Sequence, residues 1–82
     1  EDIVEAVLDK IGDVKKIILI GDYAKGKDTG SIEIILIGND MNTNYISQLE
    51  PKIEKLIDRK VTFYLSSKFL SNQKHIILYE TN

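Results

Sequence analysis

The residues with chemical potential lie close together between Gly21 and Glu33. Asp22 and Glu33 are acids flanking a polar stretch, Asp22-Tyr23-Ala24-Lys25-Gly26-Lys27-Asp28-Thr29-Gly30, and Ser31 stands two positions before Glu33. A pair of carboxylates can share a hard cation such as Mg²⁺, which takes oxygen ligands and leans on one or two acids plus substrate phosphates. Glycine turns and lysines can hold an anion through backbone N–H groups and positive charge. Each residue also has a plainer role. Asp22 can cap the turn that follows a strand, because Asp bonds nearby backbone N–H groups. Glu33 can be a charge that discourages sheet-to-sheet pairing. Lys25 and Lys27 can be solvated loop charges, and Gly26 and Gly30 can serve turn geometry. His75 is the one histidine and there is no cysteine, so it lacks the companions of an ordinary metal site.

Short apolar segments must position these residues. Fourteen isoleucines and eight leucines supply most of the core. Ile3, Val4, Val7, Leu8 and Ile11 recur at helical spacing, and Gly12 ends that helix. Ile17 to Ile20 is an unbroken run closed by Gly21, which reads as a strand buried on both faces. Ile32 to Ile37, broken only by Glu33 and closed by Gly38, is a second strand. Ile46, Leu49, Ile53, Leu56 and Ile57 mark a second helix, with Asn42 or Asn44 as its cap. Pro51 predicts a kink there, or a regular helix that begins at the proline. Glu50, Glu54 and Asp58 alternate with Lys52, Lys55, Arg59 and Lys60, which reads as a solvated face with i,i+4 pairs. Val61 to Leu65 and His75 to Tyr79 read as further strands, with one short turn from Ser66 through Phe69 and Leu70 between them. Phe63, Tyr64 and Phe69 are expected in the core or an interface. The expected architecture is α/β: a small mixed sheet of about four strands with two main helices, forming a single domain over residues 1–82.

The stretch Ile17 to Gly38 resembles the signature of the nucleotidyltransferase superfamily that includes DNA polymerase beta. There a strand leads into Gly-Ser-x-Ala-Arg-Gly, a polar stretch, then Asp-x-Asp on a second strand. The closest likeness is to the small bacterial domains found alone or fused to winged-helix transcription regulators. Here Gly21, Tyr23, Ala24, Lys25 and Gly26 follow the pattern, with Lys25 for the usual Arg. Asp22 replaces the serine, Ser31 replaces the first aspartate, and Glu33 replaces the second. The resemblance implies that Glu33 and Asp22 are the remnants of the catalytic set, with Glu33 the one retained metal-site acid. It also implies that Gly21, Asp22, Lys25 and Ser31 outline a vestigial phosphate or metal site. A third acid is expected between Val61 and Tyr64, where the sequence reads Val-Thr-Phe-Tyr. Asp22 would set a negative charge against a triphosphate. Two unit charges 4 Å apart repel by about 4 kcal/mol at an effective dielectric of 20.

The resulting expectation is a catalytically inactive nucleotidyltransferase-fold domain acting as a regulatory or interaction module, as in a transcription regulator. Two alternatives stand beside it: an active Mg²⁺-dependent transferase using Asp22 and Glu33, and a nucleotide or small-ligand sensor without chemistry. The 82 residues begin with Glu1 rather than Met, so a domain excised from a longer protein is expected, with a fused winged-helix or other partner. Eleven basic and 13 acidic residues leave a net charge of −2. That lacks the basic excess of a direct nucleic-acid binder. No apolar run approaches the ~20 residues of a membrane span. The absence of cysteine and of a signal pattern fits a cytoplasmic protein.

Overall fold

A computed structural model describes residues 3–69 and 72–81. The elements in chain order are α1 (Ile3–Lys10), β1 (Asp13–Ile20), α2 (Gly21–Ala24), β2 (Ser31–Asn39), α3 (Thr43–Ile57), β3 (Lys60–Ser66) and β4 (Ile76–Glu80). The strands form one mixed sheet in the order β3-β2-β1-β4. β1 pairs antiparallel with both β2 and β4, and β2 pairs parallel with β3 across the α3 connection. This is the α/β architecture expected from the sequence, with one element added.

Alternation sorts the strand residues onto two faces. Ile17, Leu19, Ile32, Ile34, Leu36, Val61 and Phe63 join Val7 and Ile11 at the α1 end, and Ile46, Leu49 and Ile53 of α3, in the main core. Ile18, Ile20 and Ile37 form a second cluster on the opposite face, where Ile35 and Phe69 pack against them. Ile17 and Ile18 are 0% and 1% exposed, so β1 is buried on both sides, as its unbroken apolar run predicts.

β1 begins at Asp13 rather than Ile17. Val14 and Asp13 pair with Gly38 and Asn39 beyond an irregularity near Lys15, which breaks the alternation that would mark a strand. Asn42 caps α3 by accepting the Tyr45 N–H at 3.1 Å. The helix runs through Pro51 from eight residues earlier, so its regular part does not start at the proline. The carbonyl that Pro51 would have bonded belongs to Ser47, which is exposed to water. Ser66 holds the short turn after it, its hydroxyl accepting the Lys68 N–H and donating to the Lys68 carbonyl; among the described residues that turn is not helical, and Leu70 lies outside them. His75 is exposed, with its ring edge-on to Phe69 at 4.8 Å.

The acids of α3 differ most from the sequence reading. Glu54 accepts the Val61 N–H at 2.9 Å, and Glu50 accepts the Phe63 N–H at 3.3 Å. These are outward-facing N–H groups of the edge strand β3, so the two carboxylates close that edge of the sheet. Edge capping, rather than i,i+4 pairing along the helix, is therefore what Glu50 and Glu54 do.

Candidate functional site

The site is built where β1 ends and β2 begins. Ile20 lies opposite Glu33, so the next residue, Gly21, falls within reach of the Glu33 side chain. Gly21 has φ +78°, a left-handed conformation, and a Cβ placed there would overlap a Glu33 carboxylate oxygen. The backbone hand selects glycine, and a Cβ would in addition require the flexible end of the Glu33 side chain to move. From Gly21 the chain enters the single turn of α2, whose Ala24 is buried in the main core.

Asp22 is exposed on that turn. Its main-chain carbonyl accepts the N–H groups of Lys25 at 3.0 Å and Lys27 at 2.9 Å, and Tyr23 accepts Gly26 at 3.1 Å. The turn is thus closed by backbone, and the side-chain capping role falls to Asp28, which accepts the Gly30 N–H at 3.1 Å. Lys25 is exposed. Ser31 opens β2 opposite Lys60, and by alternation its side chain shares the face of Glu33.

Glu33 is half-buried on the face away from the helices. Thr62 of β3 is its register partner, and Tyr64, two residues further on, donates its hydroxyl to Glu33 Oε1 at 3.1 Å. The hydrogen bond to Glu33, reinforced by the carboxylate charge and some desolvation, pushes the Tyr64 phenol above its ordinary value of 10.0. The phenol therefore stays protonated and keeps donating to the acid. A tyrosine and a threonine occupy the segment in which the sequence comparison expects a third acid.

A second cluster pins the loop that leads into β2. Arg59, between α3 and β3, donates Nε and Nη2 to Asp28 and Nη1 to the Ile57 carbonyl, and its guanidinium lies 5.8 Å from the centre of the Tyr23 ring. Hydrogen bonds from Arg59, then from the Gly30 N–H, hold the Asp28 carboxyl below its ordinary value of 3.8. Lys60 N–H bonds to the Gly30 carbonyl at 3.0 Å, closing the same junction from the backbone side. Sequence reading passed over Tyr64, Asp28 and Arg59 as site residues. The Asp28-x-Gly30 spacing is a readable Asx turn, but each of the two side-chain bonds spans 31 residues and no local pattern marks it.

The donor set can be weighed against the cations that the resemblance implies. Among the described residues, no group of three or more His, Cys, Asp or Glu is gathered as a metal site. Glu33 contributes one carboxylate, with one oxygen engaged by Tyr64 and the other packed on Gly21. These residues do not fit a two-cation centre.

No family model and no curated protein matches the chain. Solved structures do. Two mutants of the toxin–antitoxin MntA-HpeT are similar, with TM-score 0.78 and 21% identity over 96% of this chain and 70% of theirs. The toxin–antitoxin with AMP-PNP gives 0.78 at 20% identity, covering 96% and 71%. The Shewanella oneidensis tri-AMPylated HEPN toxin in complex with MNT antitoxin gives 0.72 at 20% identity, covering 96% and 67%. The fold is nucleotidyltransferase-like. Identities at this level speak to fold alone, so the chemistry has to be argued from the side chains. Among the described residues, no helix is long and apolar enough to cross a membrane.

Proposed function

We propose that this nucleotidyltransferase-like domain does not transfer nucleotides and works by contact with a protein partner. The observation that carries this reading is the engagement of Glu33. Its carboxylate is bonded by the Tyr64 hydroxyl from the segment where a metal-binding acid is expected, and it rests against Gly21. A two-metal mechanism needs several carboxylates converging on one place to hold both cations, and Ser31 and Asp22 do not restore that set. Asp22, Lys25, Ser31 and Gly21 are then a vestigial phosphate site. The similarity to chains crystallised as toxin–antitoxin complexes supports a partner protein. A fused winged-helix domain in a transcription regulator is the form of partnership that the sequence suggests, in the cytoplasm.

The test is transfer of label from α-labelled ATP with Mg²⁺ or Mn²⁺, to the chain itself and to added protein acceptors. The expected result is no incorporation above a protein-free blank. Turnover that is abolished by Glu33→Gln would establish the active reading, in which Asp22 and Glu33 share one cation.

A further inference from the structure

The net charge of −2 conceals a division along the chain. All but one of the 13 acids precede Arg59, and from Arg59 to Tyr79 the sequence holds no Asp or Glu while it holds Arg59, Lys60, Lys68 and Lys74. The fold lays this stretch over one side of the sheet. Val61 and Phe63 face the main core, so by alternation Lys60, Thr62, Tyr64 and Ser66 of β3 face the other way, with Glu33. The connection from Ser66 to Ile76 joins strands at opposite edges of the sheet, and its Phe69 packs on Ile18, Ile20 and Ile37, so its described residues pass over the same face. Ile77 is the register partner of Ile18 and shares that face.

Lys60, Lys68 and Lys74 are exposed, and among the described residues no ion pair takes them up. They frame the face. Lys60 lies opposite Ser31 at the start of β2, and Lys68 follows Ser66, which lies opposite Ile37 towards its end. Lys74 precedes Ile76, whose partner Leu19 is paired with Ile34 in the first half of β2. The nearby acids are engaged: Glu33 with Tyr64, Asp28 with Arg59, and Glu80 with Lys16 at 3.2 Å. Tyr64 and Ile77 on the same face are 45% and 46% exposed. We propose that this face is the contact surface for a partner protein whose own surface carries Asp and Glu side chains around apolar ones. Complementary charge orients such a partner and excludes basic ones, while Tyr64 and Ile77 supply area to bury. Nucleic acid fits less well. Its affinity comes from many phosphate contacts, and three spaced lysines on a chain of net negative charge supply few. The proposal rests on the partner-contact reading above and names the face and the partner's charge.

The experiment is amide NMR of the isotope-labelled 82-residue chain at physiological salt, titrated with a synthetic peptide of repeated Asp-Leu-Glu-Gly units. The same peptide with Lys in place of its acids, and single-stranded oligodeoxythymidine, are the comparisons. The acidic peptide is expected to give saturable shifts at Tyr64, Lys68, Lys74 and Ile77, and the lysine peptide none. Lys68→Glu combined with Lys74→Glu is expected to raise the acidic peptide's Kd at least about fourfold, since each exposed pair turns from attraction to repulsion. Lys52→Glu combined with Lys55→Glu makes the same change of net charge on α3 and is expected to leave the Kd within about twofold, because exposed charges beyond a Debye length are screened. The amide spectrum shows directly whether each variant is folded. Should the Lys68/Lys74 variant not fold, Lys60→Glu reads the same face and is expected to raise the Kd about twofold. Absence of saturable shifts, shifts centred on α1 or α3, equal shifts with the lysine peptide, an equal loss from the α3 variant, or tighter binding of oligodeoxythymidine would overturn the proposal. Incorporation of label from ATP would contradict the inactive reading above while leaving these shifts as they are, so the two failures are distinct.

Discussion

Replacing Gly21 by alanine tests the packing at the heart of the site. At φ +78° the Cβ first costs the left-handed backbone term, about 1–2 kcal/mol for an L-residue. The Cβ also overlaps the end of the Glu33 side chain, which must swing away. Holding a side chain about 30° off its rotamer costs roughly 0.5–1.5 kcal/mol. Gly21→Ala is therefore expected to destabilise by about 1.5–3.5 kcal/mol, the sum of the two. Gly26 supplies the control. Its φ is +84°, but nothing lies within 4 Å of its added Cβ, so Gly26→Ala carries the backbone term alone. Urea unfolding at neutral pH reads both. Combining each variant with Glu33→Ala separates the terms: Gly21→Ala should become about 0.5–1.5 kcal/mol milder in that background, and Gly26→Ala should not change. Equal costs for Gly21→Ala with and without Glu33 would refute the claim that the carboxylate rests on this glycine.

Three further outcomes are expected. Glu33→Gln removes the charge that holds the Tyr64 phenol protonated, so phenolate absorbance for that tyrosine should rise at lower pH, nearer 10.0; because its folded-state value is raised, the Tyr64 contribution to stability is full below that pH and fades as pH climbs through the raised value. Asp28 has a lowered folded-state value, so the Arg59–Asp28 contribution is present above 3.8 and is lost as pH falls through the depressed value; thermal melts should show the wild-type advantage over Arg59→Ala shrinking well below 3.8. Glu54→Ala should lose about 1 kcal/mol in urea unfolding and speed amide exchange at Val61, while Glu50→Ala, with the longer 3.3 Å bond, should do less.

Most of the framework could be read from residue order because it follows local rules. The apolar runs at Ile17 and Ile32, the periodicity of Ile46, Leu49 and Ile53, and the Asn42 cap each act within a few residues, and each is found in place. Where the reading fell short, the cause was either distance along the chain or an element too short to leave a pattern. Glu50 and Glu54 look like the solvated side of a helix until β3 is laid beside α3. The short α2 has too few residues for a periodic signal, and Asp22 suggested a side-chain cap where the backbone closes the turn. Glu33 was readable as the singular acid of its strand, but its partner Tyr64 emerges only from the parallel pairing of β2 with β3.

The central claim is that Glu33 is committed to Tyr64 and Gly21 and does not gather divalent cations around a nucleotide. Paramagnetic broadening by Mn²⁺ with ATP, followed on the amide resonances of isotope-labelled chain, tests it most directly. The account predicts no selective loss at Gly21, Asp22, Ser31 and Glu33 relative to other exposed acidic positions. Selective, ATP-dependent broadening at those four residues, removed by Glu33→Gln, would contradict it.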